Sequence, residues 1–588
     1  MGFSQNSASA SIDIYYNEED IYNNERITTL GGALYGDSIL LKSNHKICFS
    51  DNMVNLSSLS SGSYMVAYSE TPKAAGGAIY GAYETIVSGN KEVTFSFNSA
   101  YANAAPSYAL GGAIYAEKIC IDNNRKCTFE YNYAGTAGGA VFAHALSIVG
   151  NETVLFKNNC TLYDGGAIYS TGAISICNND EIRFIDNEAS DGGAICSRQG
   201  EDIVISDNGL VVFSGNTTGN IGAISTYGPL YIQNNDSALF EKNLQSRPDD
   251  FRLLSVQAFS LTLSAAAGRS IVFHDSIMVT GNMNLNSSYI THDELTLNQS
   301  GDIVFSGAYT EQHLNELLTK KQEKRVARAS EILASRTSEI YAMTNLHGGR
   351  LRVEDGAIYQ GYGITAHDDS ASTVRVKDAE LSHVGYELEF NAGTTLEVAG
   401  ESTIRGQVNL KEGSVFKLEL GAVLCLHETA GADAATLYVS GTAFLSGDST
   451  LNADLTLADG ATLDMENLDA GAVTLNGALT FGEQVTIGEN LLALLEDIKT
   501  QTEGVALFTG IDSLTLPQTA TTTTSNRVWA GVVFSNLASS QNYYLVYQAD
   551  TGTLSIVYNV PEPATATLSL LALAALAKES LWKSLENI

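Results

Sequence analysis

Acidic side chains near paired glycines are the residues of this sequence whose type and spacing could do chemistry. Hydrolysis of a glycosidic bond needs two carboxylates held about 5 to 10 Å apart, which in a stack of repeats means acids on adjacent units in one column. Asp37, Asp164 and Asp191 each lie beside a Gly-Gly pair. We read their offsets from the glycines as different, so the sequence predicts that they do not form one catalytic column.

A second acidic position gives no better candidate. Asp51 and Asp186 share a column with Phe97, Tyr131 and Gly215, which have no acid-base chemistry in common. The nine histidines form no His-x-x-x-His pair, and no Gly-x-Ser-x-Gly elbow is present. The seven cysteines show no Cys-x-x-Cys pair and no zinc-site spacing. We therefore expect no enzyme activity, no metal and no cofactor.

Composition restricts the partners as well. The chain has 588 residues, with 32 Lys and Arg against 66 Asp and Glu, a formal net charge of −34. Such an excess repels phosphate backbones, so nucleic acid is not an expected partner. Charged residues make up only 17 % and hydrophobic residues 44 %, with 53 glycines and 7 prolines. These values indicate an ordered chain with glycine turns, and they argue against a disordered acidic one.

A paired motif recurs seven times along the first half of the chain. A Gly-Gly-Ala-aliphatic block starts at Gly31 and is repeated, with a degenerate copy at Ile221, at intervals of 45, 35, 27, 27, 27 and 29 residues. Each block is followed by Phe-x-x-Asn, beginning with Phe49–Asn52 and Phe95–Asn98. The motif residues that we assign structural roles are Gly76, Gly77, Gly111, Gly112, Gly138, Gly139, Gly165, Gly166, Gly192, Gly193, Phe129, Asn132, Phe156, Asn159, Phe184, Asn187, Phe213, Asn216, Phe240 and Asn243.

The residues around these motifs alternate between apolar and polar, which indicates half-buried strands. The Phe strand, a strand with inward pairs such as Ile119 and Ile121, and the Gly-Gly-Ala-Ile block give three short strands per repeat. Asn and Gly separate the strands. Three strands recurring at about 27 residues predict one coil of a right-handed parallel β-helix, an all-β solenoid.

The repeated residue types have physical roles in such a coil. Asn tolerates the left-handed conformation at a bend, and stacked Asn side chains can form amide ladders. Paired Gly allow a sharp corner, and the Phe column is expected to stack inside the coil.

One column carries a binding hypothesis. The position after Gly-Gly-Ala-aliphatic is aromatic in five successive repeats, at Tyr35, Tyr80, Tyr115, Phe142 and Tyr169. Alternation from the buried aliphatic residue places these rings outward, where they would suit stacking on sugar rings or packing on a partner. If a bend at the glycines reverses them, they are core residues.

The motif pair resembles the repeat of the chlamydial polymorphic membrane proteins, over residues 31–245. That resemblance implies a surface-exposed β-helical passenger that mediates adhesion to host cells, with the tetrapeptides themselves linked to adhesion. The alternative is that the tetrapeptides only hold the coils together.

The remaining chain divides further. Residues 1–30 contain neither the basic nor the apolar segment of a secretory signal. If the protein is exported, we therefore expect that the reading frame is truncated or that its start is misplaced. Residues 246–347 suggest irregular coils, with a helical excursion at 311–341. Residues 348–559 resemble the later coils of autotransporter passengers, and end in a hairpin about Asp550-Thr551-Gly552 that could cap the solenoid.

Residues 560–588 contain Pro561-Glu562-Pro563 followed by an apolar run at 564–577. This segment resembles the bacterial PEP C-terminal sorting signal, but the Arg-rich tail of that signal is missing. The resemblance implies an exosortase-type sorting enzyme as a partner and contact with the bacterial membrane through the apolar run.

The sequence as a whole predicts an adhesin or display scaffold exported to the surface or outer membrane of a Gram-negative bacterium, or secreted. Its partner would be a host or matrix glycan or protein. A carbohydrate-active enzyme, either a polysaccharide lyase or a glycosidase on the same fold, is the alternative.

Overall fold

The structure is a computed structural model that describes residues 13–15, 29–30, 33–56, 73–102, 108–247, 250–281, 283–285, 301–308, 337–367, 371–383, 388–428, 435–498, 504–517, 527–537 and 543–558. Its chain forms two compact units, Met1–Val415 with Val423–Ala435, and Phe416–Ala422 with Thr436–Ile588. Nearly all regular structure is β-strand. The strands stack in parallel into solenoids, which confirms the predicted parallel β-helix.

In the first unit, one column of parallel strands carries the Phe-x-x-Asn phenylalanines, and we call it the Phe sheet. Its strands are Lys46–Ser50, Glu92–Ser96, Lys126–Glu130, Thr153–Lys157, Glu181–Ile185, Leu210–Ser214, Ser237–Glu241, Ser270–Phe273, Asp302–Ser306, Gly349–Glu354, Ser372–Lys377 and Thr394–Ala399. The register places each Phe directly beside the next, as in Phe129 beside Phe156 and Phe156 beside Phe184.

A second column follows the Gly-Gly pairs, and we call it the Gly-Gly sheet. Its strands are Leu34–Lys42, Ile79–Ser88, Ile114–Asp122, Val141–Val149, Ile168–Ser170, Ile174–Cys177, Ile195–Ser197, Ile203–Ser206, Ile224–Thr226, Pro229–Gln233, Asp250–Ala258, Ser260–Ser264, Ser276–Val279, Met283–Leu285, Thr337–Leu346, Ile358–Ala366, Glu380–His383, Leu388–Phe390, Glu401–Arg405, Val408–Leu410 and Val423–His427. Asp13–Tyr15 pairs antiparallel with its first strand.

A third column begins after each ladder Asn, and we call it the post-Asn sheet. Its strands are Met53–Leu56, Ser99–Ala102, Tyr133–Ala134, Cys160–Thr161, Glu188–Asp191, Thr217–Ile221 and Leu244–Arg247. Three more short parallel strands pair with one another, at Thr29–Leu30, Lys73–Ala75 and Tyr108–Leu110.

Each coil has three strands, as expected, but two of the three are not the strands that the sequence predicted. In the first four coils the Gly-Gly-Ala block and the following apolar pair form one strand, as in Ile114–Asp122, and not two. A shift of register between Ala116 and Lys118 bends that strand without ending it. From the fifth coil, where Ser170 is followed by a turn, the two halves separate. The post-Asn strand supplies the third side, and the sequence analysis had missed it because the strand is only two to five residues long.

The middle of the chain needs one correction. The predicted helical excursion at 311–341 falls largely outside the described residues, but its last residues, from Thr337, begin the strand Thr337–Leu346. That strand pairs in parallel with Ile358–Ala366. Its apolar residues therefore belong to the solenoid, and the expected strands at Ser270 and Asp302 are also present.

The second unit continues the strand pattern and ends differently. Its strands are Val415–Leu418, which starts one residue before the unit, Thr436–Val439, Thr442–Ser446, Thr450–Asn452, Asp454–Leu457, Thr462–Glu466, Val473–Phe481, Thr486–Ile487, Val505–Thr515, Arg527–Trp529, Tyr543–Gln548 and Thr553–Tyr558. Helices Glu489–Ile498 and Ala530–Val533 were not predicted. The last two strands pair antiparallel, which confirms the hairpin about residues 550–552, and Thr553–Tyr558 also pairs antiparallel with Val505–Thr515.

Candidate functional site

The Phe column forms the centre of the core. Nine phenylalanines stack with ring centroids 4.5 to 5.4 Å apart and nearly parallel planes, from Phe49 to Phe305. All are at most 2 % exposed. These rings stabilise the coil and are unavailable to a ligand.

Two amide ladders run beside the Phe sheet. From Asn52 to Asn216, the Asn of each Phe-x-x-Asn motif donates its Nδ2 to Oδ1 of the equivalent Asn in the next coil, as Asn159 does to Asn187 at 2.9 Å. The same Nδ2 also donates to a Phe carbonyl of the previous coil, Phe129 O at 2.9 Å. A second ladder follows the Gly-Gly sheet, through Asn44, Asn90, Asn124, Asn151, Asn179, Asn208 and Asn235. The ladders satisfy buried amides and fix the register of the coils.

The left-handed conformation lies one residue before the ladder asparagines and not on them. The residue before each Phe-x-x-Asn asparagine has φ between 53° and 69°, at Asp51, Phe97, Tyr131, Asn158, Asp186, Gly215 and Lys242. The ladder asparagines are fixed instead by their side-chain hydrogen bonds. The sequence analysis had assigned both roles to the same Asn.

The Gly-Gly corners require glycine for two separate reasons. The first glycine has φ of +63° at Gly111, where a side chain is strained. The second glycine is pressed against the next coil, since a Cβ on Gly139 would overlap the carbonyl oxygens of Gly166 and Cys160. These glycines hold the corner together, which is the structural role expected of the motif.

The aromatic column proposed for binding is present as a stack of rings, and most of it is covered. Tyr35, Tyr80, Tyr115, Phe142 and Tyr169 stack with centroids 5.0 to 5.3 Å apart. Tyr35 is 48 % exposed, but Tyr115 and Phe142 are only 5 % and 7 % exposed.

The cover consists of the residues that precede the Gly-Gly pairs. Tyr115 and Phe142 pack with Ala75, Leu110 and Ala137 in a hydrophobic cluster of their own. Burial raises the pKa of Tyr80, with smaller contributions from neighbouring tyrosine and acidic groups, and burial together with Glu117 raises the pKa of Tyr115. A ligand would reach this column at Tyr35 and, less freely, at the half-buried Tyr80 and Tyr169.

In the next coils the same corner changes from apolar to ionic. Asp164 and Asp191 occupy the position of Ala137 and pair with each other as neighbours in one column. The sequence analysis was wrong to give these two acids different offsets, because each immediately precedes its Gly-Gly pair. Arg198 reaches both: its Nη2 lies 2.6 Å from Asp164 Oδ1 and also bonds Asp191 Oδ2.

Burial is the largest influence on the pKa of Asp164. Desolvation raises the pKa of Asp164, and Arg198 opposes that rise. Burial also raises the pKa of the Cys196 thiol, to about 12, so this sulfur is a thiol at neutral pH. The Arg198 guanidinium lies 6.0 Å from the centre of the Tyr227 ring. The cluster combines carboxylate, guanidinium and aromatic groups, which is the convergence that the sequence analysis did not find.

A second aromatic pair is exposed, and its binding potential was missed. Phe97 and Tyr131 stack with centroids 5.0 Å apart and planes within 1°, and they are 55 % and 47 % exposed. Both have φ of 55°, in the left-handed region that disfavours bulky side chains. That conformation costs about 1 to 2 kcal/mol per residue. The available signal was a pair of aromatic residues in a column otherwise filled mainly by Asn, Asp and Gly.

Metal and membrane features were sought in the part of the chain that the structure describes. There, no group of three or more His, Cys, Asp and Glu side chains is placed to hold a metal ion. None of the seven cysteines, all of them within the described ranges, forms a disulfide bond. Among the described helices, none combines the length and the apolarity of a membrane span. Pro561, Glu562 and Pro563, with the apolar run after them, lie outside the described residues.

Comparison with known proteins gave one match. Residues 153–171 match the Chlamydia polymorphic membrane protein repeat. This segment holds the Phe156-to-Asn159 motif and the Gly165-to-Ile168 block, so it spans one complete motif pair. No curated protein and no solved structure matched the chain. The repeat and the parallel β-helix together indicate a surface-displayed, adhesin-like protein.

Proposed function

We propose that this chain is a bacterial cell-surface adhesin or display scaffold that binds host or matrix ligands along a rigid β-helix. The observation that carries the proposal is the repeat at residues 153–171, whose motif pair recurs through the first unit. The motif residues themselves are committed to the fold, since the Phe rings and ladder Asn side chains are buried. Binding is therefore assigned to the variable outward positions and not to the tetrapeptides.

The aromatic column from Tyr35 to Tyr169 is one such outward position. Tyr35 is its most exposed ring, and Tyr80 and Tyr169 are half-buried. An aromatic ring offers a large contact area to a sugar or a protein at low cost in side-chain entropy. We propose Tyr35 as the entry of this column and the covered Tyr115 and Phe142 as its support.

Attachment to the cell is proposed to depend on Pro561, Glu562 and Pro563. The apolar run at 564–577 would contact the bacterial membrane, and an exosortase-type enzyme would process the segment. Replacing Glu562 by Ala in the producing bacterium should then release the protein from the surface fraction. Unchanged surface retention would contradict this route.

The adhesin proposal is tested with the full chain on arrays of glycans and extracellular-matrix proteins, with product analysis of every glycan after incubation. Saturable binding to intact ligands supports an adhesin. Absence of binding to all ligands, combined with no adhesion of coated beads to host cells, would overturn it.

The second candidate function is a carbohydrate-active enzyme, and the observation in its favour is the Asp164, Asp191 and Arg198 cluster. Two carboxylates on adjacent coils could supply a general acid and a base, and burial raises the pKa of Asp164 in the direction that an acid needs. The same guanidinium, however, bonds both carboxylates. Shortened or unsaturated glycan products that disappear in the Asp164→Asn variant would establish this function.

A further inference from the structure

We propose that Thr171, His144 and Glu117 form a hydroxyl, imidazole and carboxylate triad that hydrolyses short-chain carboxylic esters. The activity goes beyond the proposed adhesin function and does not depend on it. It is also distinct from the second candidate function, because the Asp164 and Asp191 pair would cleave a glycosidic bond and this triad cleaves an acyl bond. The observation that carries it is a continuous chain of side-chain contacts across three successive coils.

The parallel β-helix brings the three residues together although they are far apart in the sequence. Successive members of the triad are 27 residues apart, which is the repeat interval of these coils. The residues directly before them pair in register in the Gly-Gly sheet, Ala116 with Ala143 and Ala143 with Ser170. The triad therefore forms one column, in which equivalent positions of successive coils lie side by side.

The side chains of the triad contact one another in sequence. Thr171 Oγ1 lies within hydrogen-bonding distance of His144 Nδ1, and His144 Nε2 lies 3.6 Å from Glu117 Oε1. A carboxylate can only accept, so the proton of the neutral imidazole is assigned to Nε2, and Nδ1 accepts from the hydroxyl. A nucleophile, a base and a group that orients the base are the signature of an activated hydroxyl. Contacts as long as the one to Glu117 commonly shorten when substrate binds.

The turn that carries Thr171 is fixed against the previous coil. Ser170 Oγ donates to Gly172 O at 3.0 Å and accepts from Gly172 N at 3.2 Å, and Thr171 N donates to Ala143 O at 3.1 Å. A Cβ on Gly172 would lie 2.0 Å from the carbonyl oxygen of His144, so this approach of the two coils requires glycine. The hydroxyl and the imidazole are thus held in position by neighbouring backbone segments before a substrate arrives.

The reaction that this geometry supports passes through an acyl-threonine. Thr171 Oγ1 forms a bond to the acyl carbon while its proton passes to His144 Nδ1. The ester C–O bond then breaks, and the alcohol leaves with that proton. Water repeats the two steps on the acyl-threonine, releases the carboxylic acid and restores the hydroxyl. Glu117 is a positioning residue, since it holds the imidazole and stabilises the imidazolium without touching the substrate.

Exposure and packing indicate the class of ester. The side chains of His144 and Glu117 are 48 % and 53 % exposed, so an ester reaches the hydroxyl directly from solvent. The Phe142 ring stands edge-on to the imidazole, with centroids 6.3 Å apart, and is only 7 % exposed. It offers an apolar contact to an acyl group of a few carbons and little surface to a long chain. The substrate is therefore a short-chain ester, such as an O-acetyl group.

Charge in the next coil suits the tetrahedral intermediate. Ser170 and Ser197 pair side by side, so the residues that follow them, Thr171 and Arg198, are neighbours in the column. Attack on an ester places negative charge on the former carbonyl oxygen, and a fixed guanidinium stabilises such a charge. Arg198 already bonds two carboxylates, which hold its guanidinium in place.

The test uses the full chain with p-nitrophenyl acetate, and with a fluorophosphonate followed by mass spectrometry of the labelled peptide. We expect a burst of p-nitrophenol and an adduct on Thr171. Thr171→Val keeps the shape and removes the hydroxyl, so it should abolish both, whereas Thr171→Ser should retain both. His144→Ala should lower turnover at least about 100-fold. The control His45→Ala removes an exposed imidazole on another turn and should leave turnover unchanged.

The role of Glu117 is tested by separating kcat from KM. Glu117→Gln should lower kcat at least about 10-fold and leave KM and the melting temperature unchanged, because the residue acts on the imidazole and not on substrate binding. Glu117→Asp keeps the charge and should restore part of kcat. A fall in kcat that is matched by a fall in melting temperature would assign Glu117 to the stability of the coil and overturn its positioning role.

Three results would overturn the triad. Turnover that persists in Thr171→Val would place the reaction elsewhere. An adduct on Thr171 that forms equally fast in His144→Ala would show that the imidazole does not activate the hydroxyl. A parent protein with neither burst nor adduct would show that the column does not transfer acyl groups. Ligand binding of the same variants is measured separately, and we expect it to equal that of the parent, so failure of the triad leaves the adhesin proposal standing.

Discussion

Asn243 donates both its backbone N–H, at 2.9 Å, and its side-chain Nδ2, at 2.8 Å, to Oδ2 of Asp275. Asp275 occupies the position of the next asparagine in the ladder. Ser255 Oγ also donates a hydrogen bond to Asp275 Oδ2, at 2.7 Å. The ladder of amides thus ends on a buried carboxylate, which is 3 % exposed. Burial raises the pKa of Asp275 to about 6, although these hydrogen bonds oppose the rise.

The first prediction concerns this end of the ladder. Since the folded pKa of Asp275 lies above the unfolded value of about 3.9, its contribution to stability is complete below about pH 4 and is lost as the pH rises through 6. Asp275→Asn keeps the acceptor oxygen and removes the charge. It should raise the free energy of unfolding by about 2 to 3 kcal/mol at pH 8 and by little at pH 4.

Denaturant unfolding of both proteins between pH 4 and pH 8 measures this difference. Comparing variant with parent cancels the titration of the neighbouring His274, whose pKa burial lowers. A stability difference independent of pH would show that the Asp275 carboxylate does not titrate in this range.

The second prediction concerns the ladder itself. Replacing Asn159 and Asn187 together by Leu leaves the Phe129 and Phe156 carbonyl oxygens without their side-chain donors. Each buried orphan group costs about 1 to 3 kcal/mol, so the melting temperature should fall strongly. Asn220→Leu, at an exposed Asn that bonds only Ser190 and its own turn, is the matched control and should change it little. An unchanged melting temperature in the double variant would refute the ladder as a source of stability.

The third prediction concerns Arg198. Arg198→Ala leaves Asp164 and Asp191 side by side without their shared cation. The loss should be about 1 to 3 kcal/mol at pH 7, less than for a fully buried pair because the arginine side chain is 36 % exposed. The pKa of Asp164, already raised by burial, should rise further, so lowering the pH should restore stability as the Asp164 carboxylate protonates.

A triple variant tests whether the charges of Asp164, Asp191 and Arg198, and not the space that their side chains fill, determine the stability of this corner. Asp164→Ala and Asp191→Ala extend the apolar column of Leu110 and Ala137, and Arg198→Met removes the cation. Together the three changes should recover most of the lost stability. Arg183→Ala, at a more exposed ion pair with Glu181, should cost less than about 1 kcal/mol. If the triple variant were less stable than Arg198→Ala, the acids would have a structural role beyond their charge.

The fourth prediction concerns two glycines with opposite surroundings. Gly139→Ala places a Cβ against the carbonyl oxygens of Gly166 and Cys160, so the coils must separate, at a cost of about 3 kcal/mol or more. Gly200 has φ of +80° but nothing within 4 Å of a Cβ. Gly200→Ala should therefore cost only about 1 kcal/mol, and thermal unfolding compares the two. Equal effects would mean that the coils yield to a Cβ at Gly139, and that close contact does not make the second glycine of the pair necessary.

The sequence by itself determined the coil. The period, the inward Phe column and the Asn columns follow from spacing alone, because in a parallel β-helix equivalent residues of successive repeats must lie side by side. The Phe stack and both amide ladders are direct consequences of that rule. The same rule places Asp51, Phe97 and Tyr131 in one column.

Only the tertiary structure decided which outward positions are open. Alternation places Tyr115 outside the strand core, yet Tyr115 is only 5 % exposed. Alternation from the buried Phe129 would place Tyr131 inside, yet Tyr131, with φ of 55°, is 47 % exposed. For Tyr115 the difference arises at the Gly-Gly corner, where the chain folds back and sets Ala75, Leu110 and Ala137 against the Tyr115 column. No local pattern contains that contact, because it depends on the angle between two strands. For the same reason, the meeting of Arg198 with Asp164 and Asp191 required the three-dimensional path of the chain.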